Sequence, residues 1–179
     1  MNKFFVIIGF SLCCLSDTTE IPWQENHKLE WADFKGEPDQ GCDSVVVTAS
    51  GITFSYSIEK SRGVGITGFK TKVFAHFYPE YSWCKKAEID ASILNHEQLH
   101  FNITELNVRC FREKIATLKA SNLIEKELSQ AHEKANTNLQ TMQNLYDTES
   151  NNSINSEGQE KWVAFVAKEL KRLEKFKSK

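Results

Sequence analysis

Between Asp90 and about Lys119 the chain carries a long helical repeat, and within it stand two histidines and a glutamate at fixed spacing. Ile93, Leu94, Ile103, Leu106, Phe111, Ile115 and Leu118 recur at helical intervals and mark an apolar face. Asp90 or Ala91 opens the helix. His96, Glu97 and His100 form H-E-x-x-H in its first half, facing inward to where a sheet would pack. At about 100° per residue the two histidines lie roughly 40° apart on one face and about 6 Å apart along the axis. Two imidazoles so placed converge on one zinc ion at about 2.0–2.1 Å each. Glu97 lies about 100° round from His96, where it can serve a zinc-held water without being a ligand. Plain core or surface histidines are the competing reading, but a carboxylate in this apolar setting is costly without a metal.

The first residues bear on where such a helix would work. Met1 to Ser16 has one early positive charge, Lys3, and an apolar run from Phe4 to Leu15. Small residues at Cys14-Leu15-Ser16 suit a signal peptidase, and the run is too short for a membrane span. This predicts a signal peptide over 1–16 and a secreted or periplasmic protein with no stable membrane span. The residues before Cys13 and Cys14 match a lipobox poorly, which argues against a lipid anchor. After cleavage Cys42, Cys84 and Cys110 remain, enough for one disulfide and one thiol. No C-x-x-C occurs, so a cysteine zinc site is not expected. Residues 17–179 read as a single domain able to bury its own core. Its net charge of −2 with mixed signs does not imply a nucleic-acid partner.

From Trp23 to Trp83 the chain reads as strands. Leu29 to Phe34 is followed by a turn signal at Lys35-Gly-Glu-Pro-Asp39. Val45 to Ala49 is β-branched, Ile52 to Ile58 alternates strictly, and Phe69 to Phe77 forms a further strand after the turn Ser61–Gly65. His76 on that strand reads as a structural or surface residue. A second helix is expected from about Ser121 to Leu145, then a polar loop from Tyr146 to Glu157. The last helix, capped by Ser156 or Asn155, runs from Glu157 to about Phe176. Its stripe of Trp162, Phe165, Val166, Leu170, Leu173 and Phe176 and its basic end favour docking on the domain over a membrane surface. The fold class is α+β: an antiparallel or mixed N-terminal sheet on a long zinc-binding helix, followed by two further helices.

Several segments together resemble one family. They are Trp31-Ala-Asp-Phe-Lys-Gly36 with Pro38-Asp39, Ala49-Ser-Gly-Ile-Thr-Phe54, Ser82-Trp83, Leu94 to Leu106, and Tyr146-Asp147 with Gln159 and Trp162. They are similar, in order from about Trp31 to Trp162, to the bacterial domain of unknown function 922, regarded as predicted secreted zinc-dependent proteases. The resemblance implies a zincin-like metallopeptidase acting on a peptide or protein, with no substrate identified. One departure matters. Where the family has a T-x-H-G or T-x-H-S element, Ser150, Asn152 and Ser153 stand here, so the family's histidine is Asn152.

Catalytic zinc normally takes three protein ligands and a water, and asparagine binds zinc poorly. The helix itself offers no third ligand. Glu105 is about 180° round from His96, and Asn107 lies about 16 Å along the axis. Glu105 reads better as a packing or outer carboxylate paired with Arg109. Asp147, Glu149 or Glu157 in the loop, or Glu125 or Glu127 on the second helix, remain as candidates, with Asp147 the working choice. The expected mechanism has zinc lowering the pKa of its water and polarising the scissile carbonyl. Glu97 takes the water's proton and returns it to the leaving amine. Tyr146 is the expected oxyanion donor, and an extended peptide would add to the sheet edge near Val73 to Phe77. The alternative is a zinc-binding pseudoenzyme or binding protein of the cell envelope, motivated by Asn152.

Overall fold

The computed structural model describes residues 20–178, so the leader expected over 1–16 lies outside the described residues. Five strands precede three helices. β3 (Ser50–Ser61) and β4 (Gly65–Phe77) form a long antiparallel hairpin. Gly63 and Gly65 take the left-handed φ values of 79° and 93° that its turn requires. β1 (Ile21–Pro22) pairs antiparallel with the far side of β4, giving the order β1-β4-β3. β2 (Val46–Val47) and β5 (Trp83–Cys84) make a second small antiparallel sheet. The two-residue alternation of the hairpin sends Ile52, Phe54, Ile58, Phe69, Val73 and Ala75 toward the helices.

α1 (Ala91–Ile115) is the central element. Asp90 caps it, its carboxylate accepting from the N–H groups of Ser92 and Ile93 at 2.8 and 2.9 Å. One side of α1 packs Phe101, Val108 and Phe111 against the sheet. The other packs Leu99, Ile103 and Leu106 against Leu139 and Tyr146 of α2 (Ile124–Ser150) and Trp162 and Val166 of α3 (Ser156–Arg172). Being covered on both sides, α1 buries even Glu105 and Arg109, which pair at 2.8 Å as the sequence predicts. Burial pushes the Glu105 carboxyl up, against the pull of Arg109 and Arg112. The C-terminal end docks on α1 through arginines. Arg109 donates to the Leu170 carbonyl at 2.7 Å, and Arg112 to the Phe176 carbonyl at 2.7 Å and Ser178 Oγ at 2.8 Å.

Four expectations need correction. Leu29–Phe34 is not a strand. Trp31–Asp33 is a short 3-10 turn, closed where the Glu30 N–H donates to Asp33 at 2.8 Å. The three cysteines are all free, so no disulfide forms among the described residues. The β4 edge near Val73 to Phe77 is already taken: β1 pairs there, the Trp23 N–H donates to the Ala75 carbonyl at 2.9 Å, and Arg112 donates to the Val73 carbonyl. Finally, the polar run after Leu145 stays helical to Ser150. The hydroxyls of Thr148 and Ser150 bond back to the carbonyls of Asn144 and Tyr146 at 2.8 and 2.7 Å. The Tyr146 ring is fully buried and anchors that last turn.

The corner between α2 and α3 is tight. Asn151, Asn152 and Ser153 all have left-handed φ, and Asn155 caps α3 by accepting from the Gly158 N–H at 3.3 Å. A Cβ on Gly158 would sit 2.2 Å from the Glu149 carbonyl oxygen. Gly→Ala inside a helix ordinarily stabilises by roughly 0.5–1 kcal/mol. Here Gly158→Ala is expected to destabilise by about 1–3 kcal/mol through overpacking, read by denaturant unfolding. A stabilised variant would show that this close approach is not required. Among the described residues no helix is long and apolar enough to cross a membrane.

Candidate metal centre

The helical spacing puts His96 and His100 on one side of α1, and the extra turn of α2 brings Asp147 to meet them. Nε2 of His100 lies 3.1 Å from Nε2 of His96. Asp147 Oδ1 lies 3.2 Å from the first histidine's Nε2 and 2.8 Å from the second's. Ligands at about 2.0–2.1 Å in tetrahedral array stand roughly 3.3 Å apart, close to this triangle. The triangle is also poorly satisfied by protons alone. If both rings donate to Asp147, their N–H groups confront each other at 3.1 Å. A cation at the centre turns all three contacts favourable, so the residues fit a divalent ion. Burial opposes charge on the Asp147 carboxyl, but hydrogen bonds from His100 and His96, and their charge, hold it well below the usual carboxylate range.

The triad opens on a cavity of about 640 Å³ whose wall also includes Glu97, Val45 to Thr48, Gln143 and Asn152. Glu97 is itself buried yet has no hydrogen-bond or ion-pair partner among the described residues. A carboxylate facing a polar cavity without a partner is available to a proton. Asn152 does line the cavity, but Asp147, one turn earlier, stands among the histidines.

Tyr146 stands elsewhere than the oxyanion reading places it. Its ring stacks on His96 at 4.4 Å between centroids and meets His100 edge-on at 4.9 Å. Its hydroxyl donates to Gln159 Oε1 at 2.6 Å. Fully buried and behind the imidazoles, Tyr146 has no face toward the cavity, and burial pushes its phenol far above its ordinary range. It is a packing support for the two imidazoles. If the centre is catalytic, Tyr146→Phe is expected to keep the ring contacts and change turnover less than about tenfold, whereas loss of an oxyanion donor costs about 10²–10³ in kcat. A loss of that size in steady-state kinetics would return the tyrosine to the reacting atoms.

The other carboxylates considered lie apart from the triad. Glu149 accepts from the Trp162 indole N–H at 2.7 Å. Glu157 pairs with Lys161 on the exposed side of α3. Glu125 faces Lys60 at 4.0 Å, and Glu127 lines a different groove between α1 and α2. His76 bonds Thr53 at 2.7 Å on the outer side of the hairpin. Gln159, which sequence reasoning passed over as a site residue, lies 3.2 Å from His96 Nδ1 through its Oε1. Its only signal was its place in the C-terminal block quoted above. Comparison with protein families, curated proteins and solved structures finds no match to this chain.

Proposed function

We propose that the chain is a zinc-dependent hydrolase of peptide bonds. One observation carries the reading: two imidazole nitrogens and a carboxylate oxygen meet at one point, and an unpartnered Glu97 faces the same cavity. Two histidines and one carboxylate form a ligand set that suits zinc and leaves a fourth position open. Zinc held there supplies an acidified water and polarises a carbonyl. His96 and His100 are aimed by α1, and Asp147 by the last turn of α2. Glu97 takes the proton of the attacking water on its carboxylate and hands it to the departing amine.

The substrate strand is best accommodated at β2. The Lys85 N–H donates to the Val45 carbonyl at 2.8 Å, so by alternation Val46 turns its N–H and C=O away from β5. Val46 is also in the cavity wall, where an extended peptide could pair with it. The resemblance to the domain of unknown function 922 supports the same chemistry, and the leader-like residues 1–16 suit work in the cell envelope or outside it. The pseudoenzyme alternative rests on Asn152; the meeting of Asp147 with the two histidines supports the catalytic reading over it.

Metal content and cleavage decide between these readings. Purified protein is expected to carry about one zinc and to cut casein-like substrates, with cleavage lost to 1,10-phenanthroline and restored by zinc. Bound zinc with no cleavage would favour the non-catalytic binder. Failure to bind zinc would overturn both.

A further inference from the structure

We infer that Gln159 is a positioning residue that holds His96 in the tautomer able to bind a metal. The inference rests on the metal-site reading above and adds the residue that makes one of its ligands competent. An imidazole can ligate through Nε2 only if its proton sits on Nδ1, so Nδ1–H needs an acceptor. Gln159 Oε1 lies 3.2 Å from His96 Nδ1 and is the acceptor there. The same oxygen accepts from the Tyr146 hydroxyl at 2.6 Å, using both of its lone pairs. The amide end is thereby oriented: oxygen toward the ring, nitrogen away.

The discarded end carries the second argument. Gln159 Nε2 is buried and has no hydrogen-bond partner among the described residues. For packing alone this is a poor residue choice, since a methionine would fill the space without an orphaned donor. A glutamine that leaves its nitrogen unpaired while its oxygen serves two donors is explained by what the oxygen does. The local fold is arranged to deliver it. Asn155 starts α3 against the end of α2, and the absence of a side chain at Gly158 allows the close approach that brings the next residue over His96.

Nitrogen-15 NMR of the metal-free protein, above the imidazole titration range, tests this directly. Against the pull of the Asp147 carboxylate 3.2 Å from Nε2, His96 is expected to carry its proton on Nδ1 to a greater extent in the native chain than in Gln159→Met, which keeps the length of the side chain. Zinc affinity, read by competition with a chromophoric chelator, is expected to fall about 10–100-fold in Gln159→Met and to be retained in Gln159→Glu, whose carboxylate is also an acceptor. A purely structural glutamine would lower the unfolding midpoint and leave both readouts unmoved. A His96 whose proton distribution is the same in the native chain and in Gln159→Met overturns the inference, as does a Gln159→Met protein that binds zinc within about twofold of native. If the native chain binds no zinc at all, the metal-site reading fails, and the tautomer measurement still decides the role of Gln159.

Discussion

Glu97→Gln is expected to bind zinc as the native chain does and to lose hydrolysis by about 10²–10⁴-fold. The substitution is nearly isosteric, and Glu97 has no hydrogen-bond partner to lose among the described residues. Its neighbours His96 and His100 keep their positions on α1, so the ligand set is untouched. What disappears is the carboxylate that α1 itself places beside His96 in the wall of the same cavity. Separate measurement of zinc content and peptide turnover makes the result clear. Undiminished turnover in the zinc-loaded variant would remove Glu97 from the mechanism.

Asp147→Ala is expected to fail earlier, at metal binding. Zinc affinities of about 10–16 kcal/mol spread over four ligands give roughly 3 kcal/mol for each, or about 10²–10³-fold in Kd. The backbone of Asp147 still receives the Asn152 N–H at 3.0 Å, so the corner is not dismantled by losing the carboxylate. Asn152→Ala, in contrast, should leave affinity within about twofold, because its neutral amide is a weak zinc ligand. Titration of both variants against a competing chelator measures the contrast. If Asn152→Ala were the weaker binder, the third ligand would have to be reassigned from Asp147 to the position that the family resemblance indicates.

The contrast between these two residues shows what could be read from the sequence. The H-E-x-x-H geometry depends on spacing within a single helix, and α1 places His96, Glu97 and His100 as that spacing dictates. The hairpin was legible for a similar reason: Ile52 to Ile58 alternates and Gly63 and Gly65 stand at its turn. Asp147 lies 51 positions from His96, and no local periodicity connects them. Asp, Thr, Ser and Asn after Tyr146 are turn formers, so the run reads as a loop. Tertiary burial of Tyr146 overrides that tendency and carries the helix on to Ser150. Trp31–Asp33 differs in the opposite direction: Leu29 to Phe34 reads as a strand ahead of a turn signal, while the Glu30–Asp33 bond closes a turn. Gln159 was invisible as a site residue because its partner is 63 positions away and its amide chemistry is generic.

The meeting of α1, α2 and α3 at one point has a thermodynamic consequence. An ion bound only by the folded arrangement adds RT ln(1 + [L]/Kd) to stability, about 4 kcal/mol at a thousandfold excess over Kd. That increment falls mainly on the corner where Asp147 and Gln159 reach back to α1 through their side chains. Depletion of zinc would therefore loosen this corner before the sheet, and amide exchange there would quicken first. An opened corner is a site at which other proteases cut. The supply of metal would then govern how long the molecule survives as well as how fast it works.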